Sequence, residues 1–138
     1  MIAYVDSSVV ARFVLQQPDR LVELTTFDQR FTSQLTQLEC LRAVDKTRMD
    51  DNLTPDEVLV RSLALYQLLR GMRRVAVSRS VLERGSASFP LPVKSLDAVH
   101  LGTALHLRER GYPQMTFATH DSQQARVALL LGFPVLGV

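Results

Sequence analysis

Short apolar runs alternate with helical stripes along this chain. Ile2-Ala3-Tyr4-Val5 has no polar interruption, which predicts a strand buried on both faces, and Val9, Val10, Phe13 and Val14 then recur at helical spacing after Ser7-Ser8. Pro18 followed by Leu21, Leu24 and Phe27 predicts a second helix, and Phe31 to Ser33 a second strand. Thr36 stands where an N-cap belongs, ahead of a helix that carries Leu38, Leu41 and Val44 toward Arg48. Thr54-Pro55-Asp56-Glu57 restarts a helix with a capping threonine, a proline at the first helical position and a glutamate at the third, and Gly71 ends it. Val75-Ala76-Val77 predicts a third strand, followed by a brief helix around Val81 and Leu82 and a loop from Gly85 to Pro92. Ser95 then caps a helix with Leu96, Val99, Thr103 and Leu107 on one stripe, stopped by Gly111. Met115 to Ala118 predicts a strand, Asp121 to Leu131 a helix closed by Gly132, and Phe133 to Leu136 a last strand. Strands alternating with helices predict an α/β fold, a three-layer α/β/α sandwich around a mostly parallel central sheet.

Composition narrows this only a little. At 138 residues, 46% of them hydrophobic, the chain fits one domain spanning residues 1–138 with a continuous core. Sixteen Lys and Arg against 14 Asp and Glu give a net charge of +2, which permits contact with a polyanion without demanding it. The opening residues lack a positive segment ahead of their apolar run and are cut off by Asp6, no later run approaches a membrane span, and Cys40 has no partner for a disulfide. These features give a cytoplasmic expectation.

The candidate chemistry lies in four acids. Asp6, Glu39, Asp97 and Asp121 each sit where an apolar run gives way to a helix or inside that helix's opening turns. In a parallel sheet such places share the edge at the carboxyl ends of the strands, where open α/β folds bind ligands. Carboxylates gathered there repel by roughly 4 kcal/mol per pair at 4 Å and an effective dielectric near 20, so they call for a cation or altered protonation. All-oxygen ligands suit Mg²⁺ or Mn²⁺. One or two such ions orient a phosphodiester, lower the pKa of a bound water and stabilise the leaving oxygen during hydrolysis, with no protein nucleophile. Taken singly, each acid also fits helix capping: Asp6 caps the first helix, Thr36 to Glu39 and Asp121 to Gln124 look like capping boxes, and Asp97 lies in a first turn.

The motifs around these acids resemble a known family. Tyr4-Val5-Asp6-Ser7-Ser8 is similar to a first strand with its leading aspartate, and Ser33-x-x-Thr36-x-x-Glu39 to a serine-to-glutamate helix opening. Leu96-Asp97-Ala98-x-His100-Leu101-x-Thr103-Ala104 resembles a third-acid helix, Ala118-Thr119-His120-Asp121 a threonine-x-aspartate after the fourth strand, and Leu131-Gly132-Phe133-Pro134-Val135 a closing segment. Together, and in this order, they resemble the PIN-domain ribonucleases, among them the VapC-type toxins of bacterial toxin–antitoxin pairs. The resemblance implies a Mg²⁺-dependent endoribonuclease, with Mn²⁺ able to substitute, in which Asp6, Glu39, Asp97 and Asp121 hold the metal and Ser7 and Thr119 give polar support. It also implies RNA as substrate, a cognate antitoxin that covers the pocket, and a homodimer. Many members carry a further acid two positions after the fourth aspartate, where this chain has Gln123, so one well-held ion is expected and a second stays open.

Other residues are ambiguous from sequence. His100 and His120 neighbour the acids, but imidazole suits zinc better than a hard-ion site, which favours packed or capping histidines; His106 has less to recommend it. Arg42 could pair with Glu39 or reach a phosphate, and the stretch Arg70-Gly71-Met72-Arg73-Arg74, with Arg79 and Arg84 beyond, could guide an RNA backbone or simply complement a helix end. The four acids also fit a non-catalytic RNA- or antitoxin-binding module. A phosphoacceptor receiver domain fits less well, because it wants an acidic pair after the first strand, where Ser7 and Ser8 follow Asp6.

Overall fold

The computed structural model describes residues 1–138. In chain order the elements are β1 (Ile2–Val5), α1 (Ser7–Val14), a 3-10 turn (Val22–Thr26), β2 (Gln29–Ser33), α2 (Thr36–Asp51) and α3 (Pro55–Arg70). They continue with β3 (Arg73–Val75), α4 (Arg79–Gly85), α5 (Ser95–Glu109), β4 (Thr116–Ala118), α6 (Ser122–Leu130) and β5 (Val135–Leu136). The sheet runs β3-β2-β1-β4-β5 and every neighbouring pair is parallel. From β1 the chain builds first to one side and then to the other, which makes the flank of β1 and β4 the point where strand order reverses and a crevice opens.

Both faces of the sheet are covered, in keeping with the unbroken apolar runs. Ala3 and Val5 point to one layer, packed with Val9 and Val10 of α1, Cys40 of α2 and Leu65 and Leu69 of α3. Tyr4 points to the other, with Leu101 and Ala104 of α5, Val127 and Ala128 of α6, and Phe117 and Phe133. This is the expected three-layer sandwich. Tyr4 and Phe117 stack across the β1–β4 pair at 5.3 Å between ring centroids, which fixes the middle of the sheet just below its carboxyl edge.

Several element boundaries differ from the sequence expectation. Where an α-helix was expected after Pro18, only Val22–Thr26 is helical, as a 3-10 turn, and the chain reaches it past Gln16 and Asp19, whose φ angles are 54° and 59°. Leu21, Leu24 and Phe27 recur every third residue, which is the 3-10 period, so their apolar sides still reach the core. Thr36 is the first helical residue of α2 and not its cap: its hydroxyl lies 2.6 Å from that of Thr32, whose own hydroxyl donates to the Val5 carbonyl at 2.7 Å. Ser95 is likewise inside α5, with Lys94 at the cap position. β3 occupies Arg73–Val75 instead of Val75–Val77, and as an edge strand it tolerates the two arginines that hide it from an apolarity search. The capping box at Thr54 and Glu57 forms as expected.

Close helix contact sets the position of α5. A Cβ on Gly102 would stand 2.7 Å from the Gly85 nitrogen, and one on Gly85 would stand 3.0 Å from the Ala98 carbonyl oxygen. Backbone thus meets backbone between α4 and α5, and the amino end of α5 is held at the carboxyl edge of the sheet.

Candidate functional site

Local capping brings two of the acids to the edge. Asp6 follows β1, its N–H donating to the Ala118 carbonyl as one more rung of the sheet, and its carboxylate accepts from the Ser8 N–H at 3.0 Å as the cap of α1. Asp121 caps α6 in the same way, accepting from the Gln124 N–H at 2.7 Å. Glu39 and Asp97 arrive in the opening turns of α2 and α5. The helix amino ends also direct their positive dipoles at this edge, which favours negative charge.

All four acids line one pocket of about 270 Å³, together with Ser7, Ser8, Ala11 and Ala43. The larger groove, about 610 Å³ beside α4 and the Gly85–Val93 loop, is mostly apolar and contains none of them. Burial and the charges of Asp6 and Asp121 push the Asp97 carboxyl above the usual aspartate range, with Glu39 adding to the effect and His100 opposing it. Carboxylates contributed by four separate segments therefore sense one another. No three of them converge into a formed coordination sphere. Glu39 is held by His100 and Ser7, and Asp121 by the first turn of its own helix.

A buried hydrogen-bond network supports the first acid. Asp6 is 3% exposed and accepts from the Ser8 hydroxyl at 2.5 Å and from the Gln124 amide at 3.2 Å. Thr119 donates to the Gln124 carbonyl at 2.6 Å, which fixes the amide so that its N–H₂ faces Asp6, and it accepts from the Asp121 N–H at 3.0 Å. Thr119 thus buttresses Asp6 through Gln124, and the Ser7 hydroxyl donates to Glu39 at 3.1 Å. Gln124 escaped sequence reasoning because its partner lies 118 residues away.

His100 is also more than a packing residue. It is fully buried, and its Nε2 lies 2.7 Å from Glu39 Oε1 and 3.6 Å from Asp6 Oδ1, while Nδ1 lies 2.7 Å from the Tyr4 hydroxyl. Burial alone would depress its pKa, but the hydrogen bond it makes to Glu39 and the charge of Asp6 outweigh that and raise it. The signal available in sequence was its place one helical turn after Asp97. Burial, with Asp6 nearby, keeps the Tyr4 phenol protonated well past its ordinary range. The Cys40 thiol is pushed up mainly by burial, which makes it the inert core sulfur expected.

Several of the other residues left open have partners within the protein. Arg42 pairs with Asp45 and leaves Glu39 alone. Arg73 donates to the Tyr112 hydroxyl and covers the Phe31 ring, Arg74 donates to Gln37, and Arg84 pairs with Glu109. His120 bonds the Gly137 carbonyl through Nδ1, its other ring nitrogen is buried without a partner, and it does not line the acidic pocket. Gln123 reaches back to the Pro92 carbonyl.

The donor set suits a hard divalent cation, since the pocket supplies four carboxylates and two hydroxyls and the one nearby imidazole is already engaged at both nitrogens. An α/β/α sandwich with acids from four helix starts at one sheet edge defines the class. The sequence profile of the PIN domain matches residues 3–130, and the chain belongs to that family. It is 30% identical to Ribonuclease VapC46 of Mycobacterium tuberculosis over 136 residues, covering 96% of this chain and 95% of the relative. A solved toxin–antitoxin complex from Klebsiella pneumoniae contains a chain of the same fold, with a TM-score of 0.65 and 18% identity over 97% of this chain and 95% of that one. No helix is long and apolar enough to cross a membrane.

Proposed function

We propose that this chain, as a single PIN-like nuclease domain over residues 1–138, is a metal-dependent endoribonuclease and the toxin of a type II toxin–antitoxin pair acting in the cytoplasm. The observation that carries the proposal is the pocket of about 270 Å³ in which Asp6, Glu39, Asp97 and Asp121 meet. Capping accounts for Asp6 and Asp121, but it gives Asp97 nothing: that half-buried carboxylate is burdened by burial and like charge, an arrangement costly to keep for structure alone. The curated relative's name, Ribonuclease VapC46, supports RNA cleavage, and the solved relative's description supports an antitoxin as partner. The resemblance to VapC-type toxins adds a second copy of the chain as a further partner.

In this reading Asp6, Glu39, Asp97 and Asp121 hold Mg²⁺, for which Mn²⁺ can substitute. The bound cation supplies Lewis acidity to the reacting phosphodiester and lowers the pKa of water. The protein's part is placement. The Ser8, Thr119 and Gln124 network keeps Asp6 fixed, and Asp97, tied down by no donor of its own helix, orients the attacking water. Lys94, exposed at the start of α5 three residues before Asp97, offers a cation to the approaching phosphate backbone.

Cleavage of RNA in Mg²⁺ or Mn²⁺ by the native protein and by Asp6→Asn tests this directly. Activity should vanish in excess chelator and fall by several orders of magnitude in the variant. Full activity in either case would contradict the proposal. Binding of RNA without turnover by the native protein would favour a non-catalytic module instead.

A further inference from the structure

We propose that His100 is a positioning residue for Glu39, held in place by Tyr4, and that this buried pair sets the orientation in which Glu39 meets a divalent cation. The inference deepens the metal-site reading above and rests on it. Its geometry is independent of any ion. His100 and Tyr4 are both 0% exposed, and the Tyr4 ring is stacked on Phe117 at the centre of the sheet. The Tyr4 hydroxyl therefore stands at a fixed point, 2.7 Å from Nδ1, and determines the rotation of the imidazole. Nε2 is then aimed at Glu39 Oε1, also at 2.7 Å, across 61 residues of sequence.

Proton placement follows from the partners. Ionised Glu39 can only accept, so Nε2 carries a proton in either charge state of the ring. In the neutral ring the Tyr4 O–H donates to Nδ1; in the charged ring Nδ1–H donates to the Tyr4 oxygen. The second carboxylate oxygen of Glu39 accepts from the Ser7 hydroxyl at 3.1 Å. Each carboxylate oxygen has about two acceptor positions, so one on each stays open toward the pocket when His100 and Ser7 take the others. Residues that orient a metal-binding carboxylate in this manner change affinity by about 10- to 100-fold when removed.

The test is Mn²⁺ affinity by calorimetry on the full chain. His100→Leu should weaken binding by about 10- to 100-fold, and His100→Gln, whose amide N–H falls near the Nε2 position, should recover most of that loss. Tyr4→Phe should fall between the native protein and His100→Leu. In a Glu39→Ala background, His100→Leu should cause no further loss, because the residue acts through Glu39. Unchanged affinity in His100→Leu, or an equal additional loss on Glu39→Ala, would overturn the proposal. A readout without metal separates it from the site reading: the metal-free native protein should show a slowly exchanging, downfield imidazole proton assigned to His100 Nε2, and Glu39→Ala should abolish it. If that signal is present and no Mn²⁺ binds, the metal-site reading fails and, with it, the role of the pair in metal binding; if Mn²⁺ binds and the signal is absent, the positioning role alone fails.

Discussion

Asp97 is the acid on which burial and like charge act without a compensating donor. Its carboxyl is raised above the ordinary aspartate value by burial first and then by Asp6 and Asp121. A carboxyl whose folded pKa exceeds its unfolded one favours the folded state most fully below the unfolded value, about 3.9, and that advantage is lost as pH rises through the higher folded value. Thermal unfolding in excess chelator should therefore show the native protein losing stability from about pH 4 upward relative to Asp97→Asn, which lacks this titration. Superimposable pH profiles of the two proteins would count against the charge crowding. The acids themselves were legible in the sequence because standing at a helix start is a local property, visible in a few residues. Gln124 and His100 were not: each earns its role through a partner on another segment, Asp6 for one and Glu39 and Tyr4 for the other.

At the scale of elements, the same division recurs. Caps made within four residues, at Asp6, Thr54 and Asp121, appear as expected. Thr36 does not cap α2, because Thr32 beneath it in β2 offers a buried hydroxyl partner, and Glu39 does not close a capping box, because His100 and Ser7 claim both its oxygens. The 3-10 turn at Val22–Thr26 was read as an α-helix because Leu21, Leu24 and Phe27 satisfy an i, i+3 pattern common to both. Packing of α5 on α4 was invisible in sequence beyond the presence of two glycines, yet it places Asp97. Gly102→Ala should cost roughly 1–3 kcal/mol by forcing the helices apart, measurable as a lowered urea midpoint, and should also weaken Mn²⁺ binding. A native-like midpoint would mean that the α4–α5 contact yields easily.

For the whole molecule, the arrangement follows from parallel strands. Every strand of the sheet ends at the same edge, so helix starts dispersed from residue 6 to residue 121 converge without any long loop reaching across. The fold class and the layer assignment were readable because the runs of β1 and β4 are apolar on both faces, while the edge strand β3, with Arg73 and Arg74, was readable only to within two residues. The central claim is that carboxylates from four segments share a hard divalent ion. Anomalous diffraction at the manganese edge from crystals grown with Mn²⁺ measures it most directly. The account predicts a peak in the pocket within coordinating distance, about 2.0–2.2 Å, of oxygens from at least two of Asp6, Glu39, Asp97 and Asp121. An empty pocket at saturating Mn²⁺, with the four acids keeping only their contacts to protein donors, would contradict it.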